Sequence, residues 1–129
     1  MGRGRMKVLL DTHAALWWLV QPDRVGTNAT ALMLDGGNRL LLSSVSVWEV
    51  AIKEALGKIE PPADFADTLL DGGVRPLAIG IDHATEVGRL PALHKDPFDR
   101  MLVAQARVEG AMLVSADPAL AAYDVPVVW

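Results

Sequence analysis

Short stretches of unbroken apolar character alternate along this chain with segments that read as helices. The apolar stretches are read at Lys7–Leu10, Arg39–Leu42, Val74–Ile79, Met112–Val114 and Val125–Val128. A strand without a polar face is covered on both sides, which is the habit of parallel sheets. Parallel neighbours need crossover connections, and the helical segments between the stretches supply them. The expected architecture is a three-layer α/β/α sandwich around a central parallel sheet of about five short strands. Ligands of such sheets sit beyond the carboxyl ends of the strands.

The intervening helices are expected at Thr12–Val20, Thr27–Leu34, Ser44 or Ser46 to about Leu56, Asp64–Leu70, Asp82–Arg89 and Phe98–Glu109, with a short one starting at Asp117-Pro118. Thr27 is read as an N-cap, and Gly57 and Gly110 as C-terminal stops. With 129 residues the chain suits one domain, burying about two-thirds of the surface it exposes when unfolded. Residues 1–5 read as a flexible leader and 6–129 as the domain, with Met6 as the natural start. The absence of cysteine excludes a disulfide framework, a zinc ribbon and a thiol nucleophile, and fits a cytoplasmic location. No stretch reaches the ~20 apolar residues of a membrane span, and the apolar start is interrupted by Asp11, Thr12 and His13.

A formal charge of −4 argues against a broad electrostatic footprint for nucleic acid. The acids, however, are not evenly spread. Asp11, Glu49, Asp96, Asp99 and Asp117 all fall at strand ends or in first helical turns, and the remainder of the chain is close to neutral. Each has a simple reading as a helix cap. Asp96 and Asp117 precede prolines, Asp11 opens a helix, and Ser46 with Glu49 has capping-box spacing. Asp99 lies in a first turn, where the helix dipole favours a carboxylate. Position adds a second reading, since a parallel sheet brings Asp11, Asp99 and Asp117 to its carboxyl edge, within reach of Glu49. Carboxylates so gathered raise each other's pKa, and a divalent cation removes that cost. Oxygen donors alone suit Mg²⁺ or Mn²⁺, and the chemistry suits phosphodiester hydrolysis.

Four phrases occur in order: LLDTHAALWWL (9–19), SSVSVWEVAIKEALGKI (43–59), KDPFDRMLVAQA (95–106) and LVSADPAL (113–120). Together they resemble the PIN domains of VapC toxins from bacterial toxin–antitoxin pairs, over Lys7–Trp129. The resemblance implies a PIN-like fold and a metal-dependent endoribonuclease with Asp11, Glu49, Asp99 and Asp117 as its catalytic, metal-binding acids. It implies Asp96 as a cap first and a site member second. Ser115 stands at the small hydroxyl position before the last acid, where threonine is frequent. A VapB-type antitoxin, an RNA substrate and a homodimer are the implied partners. A catalytically silent PIN domain serving as a protein- or RNA-binding regulator is the competing reading. A haloacid-dehalogenase-like phosphatase is disfavoured because His13 stands where its second Asp belongs, and Asp11-Thr12 does not fit the acidic pair of a phospho-receiver domain.

Around these acids, His13, His94, Lys95 and Arg100 are candidate RNA contacts. His13 also reads as a solvated helix-start residue, and Arg100 as a partner of Asp99. Lys53, four residues after Glu49, has the spacing of a surface ion pair. Of the adjacent Trp17 and Trp18, at least one is expected to leave the core, with a protein contact favoured over base stacking. Trp48 reads as core, as do Leu102, Val103, Ala106 and Val108.

Overall fold

A computed structural model describes residues 5–129, so most of the expected leader lies outside the described residues. The five strands are β1 (Lys7–Leu10), β2 (Arg39–Ser43), β3 (Arg75–Leu77), β4 (Met112–Val114) and β5 (Val127–Val128). They form one sheet in the order β3-β2-β1-β4-β5, and every pair is parallel. The helices are α1 (Thr12–Val20), α2 (Thr27–Leu34), α3 (Ser44–Ala55), α4 (Phe65–Asp71), α5 (Ile81–Val87) and α6 (Pro97–Glu109). Short 3-10 helices occupy Pro22–Arg24 and Pro118–Tyr123.

The strands' alternation divides the core into two layers. Val8, Leu10, Leu42 and Val114 face one way and pack with Ala14 and Ala15 of α1, Ala29 and Met33 of α2, and Phe65 and Leu69 around α4. Leu9, Leu41 and Leu113 face the other way and meet Leu102, Val103 and Ala106 of α6 together with Leu120 and Tyr123. Helix α3 serves both layers, giving Val50 to the first and Val45 to the second. It therefore sits across the carboxyl edge of the sheet rather than on one face.

Several expectations need correction. The third strand covers only Arg75–Leu77, because its partner β2 ends at Ser43, opposite Leu77, and turns into α3; the Ala78 carbonyl beyond it accepts from Gln105 Nε2 (3.4 Å). Pro76 within it is tolerated because β3 is an edge strand. The last strand has only two residues. Thr27 is the first residue of α2, not its cap. Gly26 holds the cap position without a side-chain bond, and the Ala29 N–H donates to the Trp129 backbone oxygen at 3.0 Å. Helix α3 does open at Ser44, but Ser43 and not Ser46 caps it, the Ser43 hydroxyl accepting from the Val45 N–H. Trp48 is 58% exposed, on the outer side of α3, with its ring edge-on to Phe98 at 5.4 Å. Val108 is exposed too, while Leu102, Val103 and Ala106 are buried.

Candidate active site

The strand order reverses beside β1. Its crossover through α1 and α2 leads to β2 on one side, while β4 lies on the other. Where two crossovers leave in opposite directions, a crevice opens beyond the strand ends. Asp11 is the first residue after β1 and Ser115 the first after β4. A hollow of about 370 Å³ opens there, lined by Asp11, His13, Trp17, Glu49, Asp96, Asp99, Ser115, Ala116 and Asp117.

Local bonds aim each acid. The Ala14 N–H donates to Asp11 Oδ1 at 2.8 Å, which caps α1 and turns this buried carboxylate toward the crevice. Asp96 Oδ1 accepts from the Phe98 and Asp99 N–H groups (2.8 and 3.1 Å), with Pro97 at the first helical position. Asp99 follows one turn on. The Asp117 N–H donates to Ser115 Oγ (3.1 Å), and Asp117 Oδ1 accepts from the Ala119 N–H (3.0 Å). Capping and site membership are thus compatible, because a carboxylate that caps through one oxygen keeps the other free.

Glu49 departs from its capping-box reading. It lies inside α3 and is 3% exposed. Its Oε1 accepts from Thr12 Oγ1 at 2.6 Å, and its Oε2 is paired with Lys53 Nζ at 2.5 Å. The Glu49–Lys53 pair is accordingly a tie at the wall of the hollow rather than a surface ion pair. The bond to Glu49 raises the Lys53 pKa.

His94 comes between the last two acids. The Asp96 N–H donates to its Nδ1 (3.1 Å), so the ring proton sits on Nε2. Nε2 faces Asp117 Oδ2 at 3.5 Å and Asp99 Oδ2 at 3.7 Å. Ligand atoms of His94, Asp99 and Asp117 lie within 4.8 Å of one another. Thr12, as the anchor of Glu49, carries no signal in a single sequence, whereas His94, read there as a candidate RNA contact, lies beside the acids.

The other candidates separate. His13 is exposed and lines the hollow, while Lys95 is an exposed loop residue next to Asp96 that does not line it. Arg100 neither pairs with Asp99 nor faces the hollow. It donates to the backbone oxygens of Pro91 (2.8 Å) and Val87 (3.3 Å) and to Tyr123 Oη (3.3 Å), which removes it from the candidate RNA contacts.

Burial pushes the Asp99 carboxyl up to about 6; the negative charges of Asp96, Asp11 and Glu49 add to this, and His94 opposes it. Burial also raises Asp11, against hydrogen bonds from Ser115 and the Ala14 N–H. Carboxylates so strained toward protonation fit a hard divalent cation, which accepts oxygen donors and relieves their repulsion.

The PIN domain family pattern matches residues 8–126. Ribonuclease VapC22 of Mycobacterium tuberculosis is 28% identical over 126 residues, covering 92% of this chain and 93% of the relative. Among solved structures, VapBC2 from Rickettsia felis bound to a promoter DNA fragment superposes with a TM-score of 0.69 at 14% identity, over 95% of this chain and 97% of that one. DNA-bound VapBC from Salmonella typhimurium gives 0.68 at 15% identity, over 95% and 96%. Sheet order, crevice and sequence pattern agree, and the chain belongs to the PIN domain family.

Proposed function

We propose that this chain is the ribonuclease toxin of a type II toxin–antitoxin pair, hydrolysing RNA phosphodiester bonds with Mg²⁺ or Mn²⁺ held by carboxylates. The observation that carries the reading is the convergence of Asp11, Asp99 and Asp117 on one hollow at the sheet's switch point, with Glu49 in its wall. The similarity to ribonuclease VapC22 over nearly the whole chain supports the RNA substrate.

Bound there, the cation would supply a water of lowered pKa and positive charge against the phosphate oxygens. Asp11, Asp99 and Asp117 offer the oxygens that hold it. Glu49, with both oxygens engaged by Thr12 and Lys53, contributes negative charge and alignment. Ser115 fixes the backbone that presents Asp117, and Asp96 fixes the turn that presents Asp99. The Nε2–H of His94 steadies Asp99 and Asp117 from the side, and the exposed Lys95 ammonium serves as a donor to phosphate. The VapBC complexes among the structural relatives support a VapB-type antitoxin as partner. A homodimer and a cytoplasmic site of action complete the reading. Among the described residues no helix is long and apolar enough to cross a membrane.

The test is cleavage of single-stranded RNA by purified protein. Cutting is expected with Mg²⁺ or Mn²⁺ and not with EDTA. Asp11→Asn and Asp99→Asn are expected to abolish it while the far-UV circular dichroism stays unchanged. An Asp99→Asn protein that cuts as fast as the parent would overturn the site assignment.

A further inference from the structure

The hollow is lined by two chemically different sets of side chains. Besides the carboxylates, its lining includes His13 and Trp17, one turn apart on α1, with ring centroids 5.6 Å from each other. Trp17 is held from behind. The Arg24 guanidinium lies over its ring at 4.3 Å, and Trp129 meets it edge-on at 5.8 Å. Trp17 is partly buried against the first core layer, whereas His13 is exposed. The free part of this wall is thus an exposed imidazole lying against a held indole and tilted 42° to it.

We propose that His13, backed by Trp17, forms a stacking seat for one unpaired RNA base beside the scissile phosphate. The proposal rests on the nuclease reading above and adds a base subsite to it. A nucleotide has the two features that the two sets of side chains would separately recognise, a charged phosphate and a flat base. The hollow's volume falls in the ~300–1,000 Å³ range of ligand pockets. A protein partner fits this wall less well, because the apolar face of Trp17 is taken by Arg24 and the core. A base reaches the seat only when it leaves its neighbours' stack, so RNA within a duplex is excluded. His13 thereby serves as more than a phosphate contact, since ring shape rather than charge is what the seat requires.

The test uses a mixed-sequence single-stranded RNA of about twelve nucleotides and a series in which one base at a time is removed, leaving an abasic sugar. Single-turnover cleavage is followed in Mn²⁺. For the parent protein, base removal at one position next to the cut is expected to slow cleavage about tenfold, the stacking of one base. His13→Phe, which keeps a ring, is expected to retain that sensitivity. His13→Ala and His13→Lys are expected to cut the intact RNA about tenfold more slowly and to ignore the missing base. Melting curves show whether each variant folds like the parent. If His13→Lys behaves as the parent and His13→Phe does not, His13 is a phosphate contact and the stacking seat is overturned. A parent scan that is flat at every position also overturns it, leaves the nuclease reading standing, and turns the wall over to a protein partner. A parent that cuts no RNA at all sinks both.

Discussion

Asp99 carries the sharpest conflict between folding and chemistry. Its carboxyl is held up to about 6 by burial and by the neighbouring acids, against 3.8 in an unfolded chain. A raised folded-state pKa means that the native state holds the proton more tightly than the unfolded one does. The ionised group therefore costs stability, and the sign follows directly. Below pH 3.8 both states are protonated and the cost is absent. It grows as pH rises toward 6 and is full above that. Asp99→Asn removes the charge and keeps the shape. In metal-free protein at pH 7.5 it is expected to stabilise the fold by about 1–3 kcal/mol. The same substitution is expected to leave stability nearly unchanged at pH 4. Urea unfolding at the two pH values checks this, and an Asp99→Asn protein less stable than the parent at pH 7.5 would contradict it. One side chain is then expected to gain stability and lose activity when neutralised, the pattern of a group strained for function.

At the scale of elements, α2 depends on a close approach that its own residues do not announce. Gly26 stands where a capping side chain is customary, yet its φ of −60° is open to any residue. Space is what requires glycine. A Cβ there would lie 1.9 Å from the Trp129 backbone oxygen, the same atom that accepts from the Ala29 N–H. Gly26→Ala is expected to cost about 1–3 kcal/mol by overpacking, read as a lowered urea midpoint, with Gly36→Ala, which meets nothing within 4 Å, as the control. This contact joins residues about a hundred positions apart, so Thr27 looks like the cap until the tertiary contact is seen. By contrast, Asp96-Pro97 and Asp117-Pro118 are legible as helix starts because the capping bond and the proline both act within two residues. The strands are legible because their apolar runs are continuous, and only the edge strands β3 and β5 come out shorter, where pairing is one-sided and prolines intervene. Trp48 and Arg100 are misread for a shared reason. Which side of α3 is covered, and whether the Arg100 guanidinium turns to Asp99 or to the Val87 and Pro91 carbonyls, depends on how separate elements dock.

For the whole molecule, the sheet order decides where the acids meet. With β1 and β4 adjacent and parallel, residues more than a hundred positions apart leave the sheet side by side, Asp11 directly after β1 and Asp117 three residues after β4. The α6 N-terminus brings Asp99 to them from the second core layer, and α3 brings Glu49 across the edge. Asp11, Glu49 and the Asp99–Asp117 pair come from three separate stretches of the sequence, so the cluster exists only in the folded state. A cation bound by it binds the native chain and not the unfolded one, and must raise stability by mass action. At a hundredfold excess over its Kd the gain is about 2.7 kcal/mol, which for a domain of this size corresponds to a rise in Tm of about 10 °C. Thermal unfolding is expected to show that rise with Mn²⁺ or Mg²⁺, reversed by EDTA. In Asp99→Asn or Asp117→Asn it is expected to require a much higher metal concentration. Because unfolding needs no RNA, this separates the metal from the substrate: a Tm that ignores both cations in the parent, or a rise left intact in both variants, would mean that the folded cluster is not where the cation is held.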